Sequence, residues 1–308
     1  MSSIETRRKF LKVTGVAGVA ALAGCSGNGG SGSDTEESES GGSDSSEDMS
    51  SESESDSSET TTRLSWHAGG TGGTYYPLSN EVKTIVESNT DFSLNVQSTG
   101  ASVENVGSLS DGSADFALIQ NDIAYFAKNG TGIETFEGNT IDTLQGVATL
   151  YPETITIVTL ADSGIESLSD LSGATINTGD LGSGTQVNAL QILDAVGISE
   201  FTEQNAGFSQ AAEQLANGDI DASFVVGGWP VGAIEDLANT NDVQIIPIEG
   251  DSRTAVKDAA SWFADDTIPA DTYTGVGSAV ETVAVQAMIA TQSGVPTETV
   301  EAVTAALF

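Results

Sequence analysis

Basic side chains are the scarcest charged groups in this chain. Its 308 residues hold 9 lysines and arginines against 45 aspartates and glutamates, for a formal charge of −36. That deficit excludes nucleic acid as a partner, because a phosphate backbone is held by a basic surface. It also disfavours adsorption to anionic lipid head groups. Cysteine occurs once, at Cys25, so neither an intrachain disulfide nor a cysteine metal centre can form. Histidine also occurs once, at His67. A Ser-His-Asp or Cys-His nucleophile would depend wholly on that residue, and a metal there would find no second imidazole. The residue inventory therefore predicts no catalytic residues, no metal and no cofactor.

The acidic excess has its own consequence. A folded domain carrying this charge repels itself unless salt screens it. A halophilic protein is expected, with its carboxylates spread over the surface as solvated groups. Disorder is the other outcome of an acidic composition. The 38% hydrophobic content and the clear periodicity beyond residue 63 exclude it for most of the chain.

Residues 1–25 read as a targeting segment. Arg7 and Arg8 form a twin-arginine pair ahead of an apolar run at 13–23, shorter than the roughly 20 residues that a membrane-spanning helix needs. The run closes on Leu22, Ala23, Gly24 and Cys25, small residues before a lone cysteine, as at a lipoprotein cleavage site. Tat export is predicted, with Cys25 lipidated and anchored on the outer face of the cytoplasmic membrane. A chance apolar helix with a buried cysteine is the alternative. Residues 26–62 are almost wholly Ser, Gly, Asp, Glu and Thr, with Met49 the only apolar side chain. Such a segment cannot bury a core and reads as a disordered, self-repelling, extended tether.

From residue 63 the pattern alternates. Strands are expected at 64–67, 92–97, 115–119, 145–151, 154–160, 175–177, 222–226 and 243–248. Helices are expected after residue 75, at 103–110, after 122, after 186, and at 211–216, 231–237 and 296–308. Leu78, Val82, Ile85 and Val86 fall at helical spacing, as do Val187, Leu190, Leu193 and Val196. Strands alternating with helices argue for an α/β fold with mostly parallel sheet.

Four loops share one character, small or hydroxyl residues running into a helix: 70–75, 99–102, 120–122 and 182–186. The first, within Trp66-His67-Ala68-Gly69-Gly70-Thr71-Gly72-Gly73-Thr74-Tyr75, matches neither nucleotide fingerprint. The dinucleotide pattern needs glycine where Tyr75 stands, and the Gly-Lys-Ser/Thr ending of a P-loop is absent. Unpaired N–H groups at a helix start carry partial positive charge and can hold an anion without a basic side chain. In an open parallel sheet such loops gather at the carboxyl ends of the strands. Together they form a candidate anion cradle; ordinary capping by Ser, Thr and Asp explains each loop singly.

Those loops also carry a family likeness. GGTGGTYYPL, STGASVENVGSLSDGSADFALIQND, YPETITIV, DLSGATINTGDLGSGTQ and FVVGGWP, in this order and spacing from about residue 64 onward, resemble the TAXI family. Members are solute receptors of tripartite ATP-independent periplasmic (TRAP) transporters. The resemblance implies an α/β, two-lobed, type II periplasmic-binding-protein fold with a hinged cleft. Lobe I would comprise 63–151 and 268–308, and lobe II 152–267. It further implies a small organic anion as ligand, an amino acid or a dicarboxylate such as glutamate or 2-oxoglutarate, delivered to a TRAP-type membrane permease. Carried over position by position, ligand contacts fall on Gly73, Thr74, Tyr75, Ala101, Ser102, Gln120, Asn121 and Asp122. In the second lobe they fall on Tyr151, Ser183, Gly184, Thr185, Gln186, Gly228 and Trp229. Relatives usually continue past such a terminal helix, so more chain is expected beyond Phe308.

Individual residues keep rival readings. His67 is expected to be a structural, hydrogen-bonded histidine more than a ligand contact. Of Tyr75 and Tyr76, one should pack on the core and the other face the cleft. Tyr151 is either a cleft residue or part of a rigid turn with Pro152, and Trp229 either core or cleft. Asp122 is a helix cap or an acceptor for a ligand amine, which would favour an amino acid. Beyond the leader only Arg63, Lys83, Lys128, Arg253 and Lys257 are basic, and none lies in a candidate loop. A receptor feeding a signalling partner and a surface hydrolase using paired carboxylates remain the alternatives to an uptake receptor.

Overall fold

Alternation of apolar and hydroxyl residues builds two unusually long strands, β4 (Leu144–Leu160, 17 residues) and β10 (Val280–Gln292, 13 residues), on which the rest of the sheet hangs. They run antiparallel, with Glu153 opposite Val285. The computed structural model describes residues 61–308. The leader, the acidic tether and Cys25 lie outside the described residues.

On one side of the long pair, β1 (Thr62–His67) pairs in parallel with β2 (Phe92–Gln97) and β3 (Phe116–Gln120), and β3 lies antiparallel to the later part of β10. On the other side, β7 (Ala222–Gly227) lies antiparallel to the later part of β4. Strand β5 (Thr175–Asn177) pairs in parallel with both β7 and β6 (Thr202–Gln204). The order is β2-β1-β3-β10-β4-β7-β5-β6, with β8 (Val243–Ile246) also on β4 and β9 (Ala264–Ile268) also on β10. The sheet is thus continuous through two halves, each with helices on both faces, and only β4 and β10 belong to both.

Each half has its own core. In the first, Leu64, Trp66, Phe116 and Leu118 pack beneath α1 (Tyr75–Asn89) and α8 (Thr297–Leu307), with Val82, Val86 and Val303 supplying the helical faces. On the opposite face, Ala117 and Ile119 meet Val106 and Leu109 of α2 (Ser102–Asp111) and Ile123 and Phe126 of α3 (Asn121–Asn129). In the second half, Ile155, Ile157 and Phe224 meet α4 (Gly184–Ala195) and α7 (Gly250–Ala259). Val158, Val225 and Ile245 meet α5 (Phe208–Asn217) and α6 (Gly232–Ala238). Burying each large apolar side chain contributes about 1.5–3 kcal/mol. Trp66 is fully buried because its one polar atom is satisfied, Nε1–H donating to Ser79 Oγ at 2.9 Å. This is the two-lobed α/β arrangement of the type II periplasmic-binding kind.

The structure departs from the sequence pattern in places. The segments expected as two strands, 145–151 and 154–160, are one. Pro152 lacks an N–H, but it sits where the β4–β10 ladder already shifts register, between Gln286 and Met288, so the strand continues through it. Strand β6 has all three residues exposed and α7 buries only Val256, so neither shows a periodic apolar signal. Among the described residues no helix is long and apolar enough to cross a membrane.

Candidate functional site

Loops at the carboxyl ends of β1, β2, β5 and β7 converge where the halves meet, and β3 delivers Gln120 to the same point. They enclose a cavity of about 70 Å³. Gly73, Thr74, Tyr75, Ala101, Ser102 and Gln120 line it from the first half, and Ser183, Gly184 and Thr185 from the second. The halves touch around its rim. Thr74 Oγ1 donates to the Gly228 carbonyl at 3.0 Å, and Ala233 N–H donates to the Gly72 carbonyl at 3.2 Å. The approach is close enough that a side chain added at Gly72 or Gly184 would force a neighbour to move. A Cβ on Gly72 would run into Ser209 Oγ, and one on Gly184 into Gln120 Oε1.

Helices α1, α2 and α4 start at the cavity, as do α3, whose N-cap is Gln120, and α5, whose N-cap is Gly207. Helix α4 is capped in the ordinary way, Ser183 Oγ accepting Gln186 N–H at 3.1 Å. Helices α1 and α2 are not: neither Thr74 nor Ala101 offers a side-chain cap bond. Capping therefore accounts for the 182–186 loop and leaves the first N–H groups of α1 and α2 without a side-chain acceptor. Ala101 holds φ +69° and ψ −141° at the cavity wall, a conformation that alanine adopts only under strain, at a cost on the order of 1–3 kcal/mol.

The floor of the cavity is acidic. Glu153, at the crossover of β4, is 2% exposed, accepts the Tyr75 hydroxyl on Oε1 and accepts Gln120 Nε2–H on Oε2 at 3.1 Å. Burial pushes its carboxyl up to about 8, against the opposing pull of these two hydrogen bonds. Burial likewise drives the Tyr75 hydroxyl far above its ordinary value. Gln120 Oε1, also buried, has no partner. Among the described residues no lysine, arginine or histidine lines this cavity, and the ion pairs join Lys83, Arg253 and Lys257 to carboxylates elsewhere.

The remaining expected site residues lie around the cavity rather than on it. Asp122 is buried behind Gln120, accepts Asn188 Nδ2–H on Oδ2 at 2.7 Å across the two halves, and is pushed up to about 6 by burial. Asn121 is turned toward β10, its Oδ1 accepting Gln286 N–H at 2.9 Å. Gln186 is spent on its own loop, receiving Gly182 N–H and donating to Glu203. Tyr151, Gly228 and Trp229 line a second, wider cavity of about 360 Å³ with Pro152, Pro230 and Asp266. Trp229 is 41% exposed there, so it is neither core nor part of the inner cavity.

Tyr75 is the tyrosine that faces the cavity, and Tyr76 packs at the edge of the first core. His67 corrects its expectation: it is buried, but neither ring nitrogen has a hydrogen-bond partner, and burial lowers its pKa. Sequence reasoning passed over Glu153, Asp180, Gly207, Phe208, Val226 and Gly227, all on the cavity wall. Glu153 had a signal: it is the one charged residue in the buried run Thr154–Ile155–Thr156–Ile157 and its approach, where an unpaired carboxylate is costly. Among the described residues no group of three or more His, Cys, Asp or Glu could hold a metal ion.

Residues 67–308, which contain every wall of this cavity, match the model of the NMT1-like family. The chain belongs to the NMT1-like family. Among solved structures, this NMT1-like chain is similar to an ancestral arginine-binding protein bound to arginine, at 15% identity and TM-score 0.49 over 80% of this chain and 90% of that one. It is similar to the substrate-binding protein of an amino acid ABC transporter, at 13% identity and TM-score 0.48 over 80% of this chain and 91% of that one. A putative L-cystine ABC transporter protein from Listeria monocytogenes matches at 14% identity and TM-score 0.47, over 80% and 89% of the two chains.

Proposed function

We propose that this NMT1-like protein is an extracytoplasmic solute-binding receptor and not an enzyme, and that it takes a small organic anion into the cavity between its halves. The observation that carries this reading is the pair of uncapped helix starts, α1 and α2, opening on a cavity whose other wall is the start of α4. Such N–H groups bind a carboxylate without any basic side chain, which suits a chain so poor in lysine and arginine. The ligand would bridge both halves and so stabilise their closed arrangement, which a membrane partner can read.

The finer reading rests on the sequence motifs. On that basis the chain is a TAXI receptor serving a TRAP-type permease, exported by the Tat route and anchored through lipidated Cys25. Its lobes would be 63–151 with 268–308, and 152–267, hinged where β4 and β10 pass between them. Gly73, Thr74, Tyr75, Ala101, Ser102 and Gln120 would contact the ligand from one lobe, and Ser183, Gly184 and Thr185 from the other.

Calorimetry in molar salt against amino acids and dicarboxylates tests the receptor reading. Binding by at least one is expected, and silence from a folded sample across the panel would sink it. Ser183→Trp fills the cavity and should lower affinity by a hundredfold or more with the circular dichroism spectrum unchanged. Retained affinity would move the site elsewhere.

A further inference from the structure

Glu153 is a buried carboxyl with no countercharge among the described residues. Both of its oxygens already receive donors, from Tyr75 and Gln120, so what it offers the cavity is acceptor capacity. Gln120 donates its N–H to Glu153, and its Oε1 is thereby turned toward Gly184 at the cavity wall, where it has no partner. One unmet acceptor, Gln120 Oε1, and a carboxyl whose oxygens each have a further lone pair thus meet at one end of a small enclosed space. The helix starts that suit a carboxylate lie at its wall. A primary ammonium group, with three donors, no acceptor and a positive charge, satisfies both acceptors and supplies the missing charge.

We infer that Glu153 and Gln120 receive the ammonium group of the solute, so that the protein takes an amino acid in preference to the matching 2-oxo acid. The inference rests on the receptor reading above and specifies the chemistry of the same site. In the empty cavity the carboxyl, faced by Tyr75, Tyr151 and Asp122 and by no cation, keeps its proton. When the ammonium arrives the carboxyl ionises, and the proton passes to water while the ammonium keeps its own three. A 2-oxo acid brings no charge to drive that ionisation, and its carbonyl oxygen is a further acceptor against Gln120 Oε1.

The test titrates matched pairs into the full mature protein in molar salt: L-glutamate with 2-oxoglutarate, L-alanine with pyruvate, and L-leucine with 4-methyl-2-oxopentanoate. At least one amino acid should bind tenfold or more tightly than its 2-oxo partner, and Glu153→Gln should narrow that ratio at least tenfold. Should the variant not fold, the wild type suffices. Titration near neutral pH in buffers of different ionisation enthalpy should show about one proton released per amino acid bound and none for a 2-oxo acid. A 2-oxo acid bound as tightly as its partner, a ratio unchanged in Glu153→Gln, or binding without proton release would overturn the assignment while leaving the receptor reading intact. Silence with all six would remove both.

Discussion

At the scale of single residues, the two buried carboxyls among the described residues, Glu153 and Asp122, lie beside one another. Glu153 and Asp122 are both buried and both shifted upward, to about 8 and about 6 from ordinary values of 4.5 and 3.8, with burial the largest cause in each. A carboxyl that holds its proton more tightly when folded stabilises the fold below its unfolded pKa, and that contribution is lost as pH rises through the folded value. The ligand-free protein should therefore lose stability between about pH 4.5 and 8 through Glu153. The exposed carboxyls of Asp111, Asp170 and Asp265 are shifted downward and act in the opposite sense, but in a more acid range. Comparing wild type with Glu153→Gln separates the two. The variant should gain on the wild type by on the order of 5 °C or more between pH 5 and pH 8 in molar salt, given that about 1 kcal/mol moves Tm by 2–4 °C in a domain of this size. Parallel melting curves would show that Glu153 is not held neutral by burial.

At the scale of elements, the site is a matter of how closely two sets of helix starts approach. Gly72 rests against Ser209 and Ala233, and Gly184 against Gln120, so these contacts exist only where no side chain intervenes. Gly72→Val should hold the halves apart. The expected result is an affinity loss of tenfold or more, with a larger radius of gyration in small-angle scattering when ligand is present. An unchanged radius and affinity would mean that the contact does not govern closure. The strands and helices themselves were largely legible in the sequence, because apolar spacing around Val82, Ile119 or Val225 reports the face each buries. The cradle was legible as a set of glycine and hydroxyl loops. What the sequence did not reveal was which donors remain free. Ser183 is a cap and Thr74 is not, although both precede a helix, and that difference depends on φ and ψ at the junction. Glu153 escaped notice because its significance lies in partners 78 and 33 residues away, Tyr75 and Gln120.

At the scale of the whole molecule, charge sets the working conditions. The excess of 45 acidic residues over 9 basic ones is offset by few ion pairs among the described residues, all formed by partly exposed side chains. Surface pairs of this kind contribute about 0–1 kcal/mol each. Screening has to come from solution, where the Debye length falls from about 10 Å at 0.1 M to about 3 Å at 1 M salt. Moving the protein from molar to millimolar salt should lower its melting temperature and erode its far-UV circular dichroism. A melting temperature that does not move would dispose of the halophilic reading.

Sharing β10 between the halves also fixes when the chain can become complete. The sheet of the first half ends on β3 until residues 287–291 pair with it, and the whole second half, from β5 to β9, is made in between. While the chain emerges from the ribosome, β3 presents a bare hydrogen-bonding edge with fully buried-type side chains, Phe116 to Gln120. The first half therefore cannot complete its sheet until β10 has been made, and this edge of β3 stays unpaired while the second half is being synthesised.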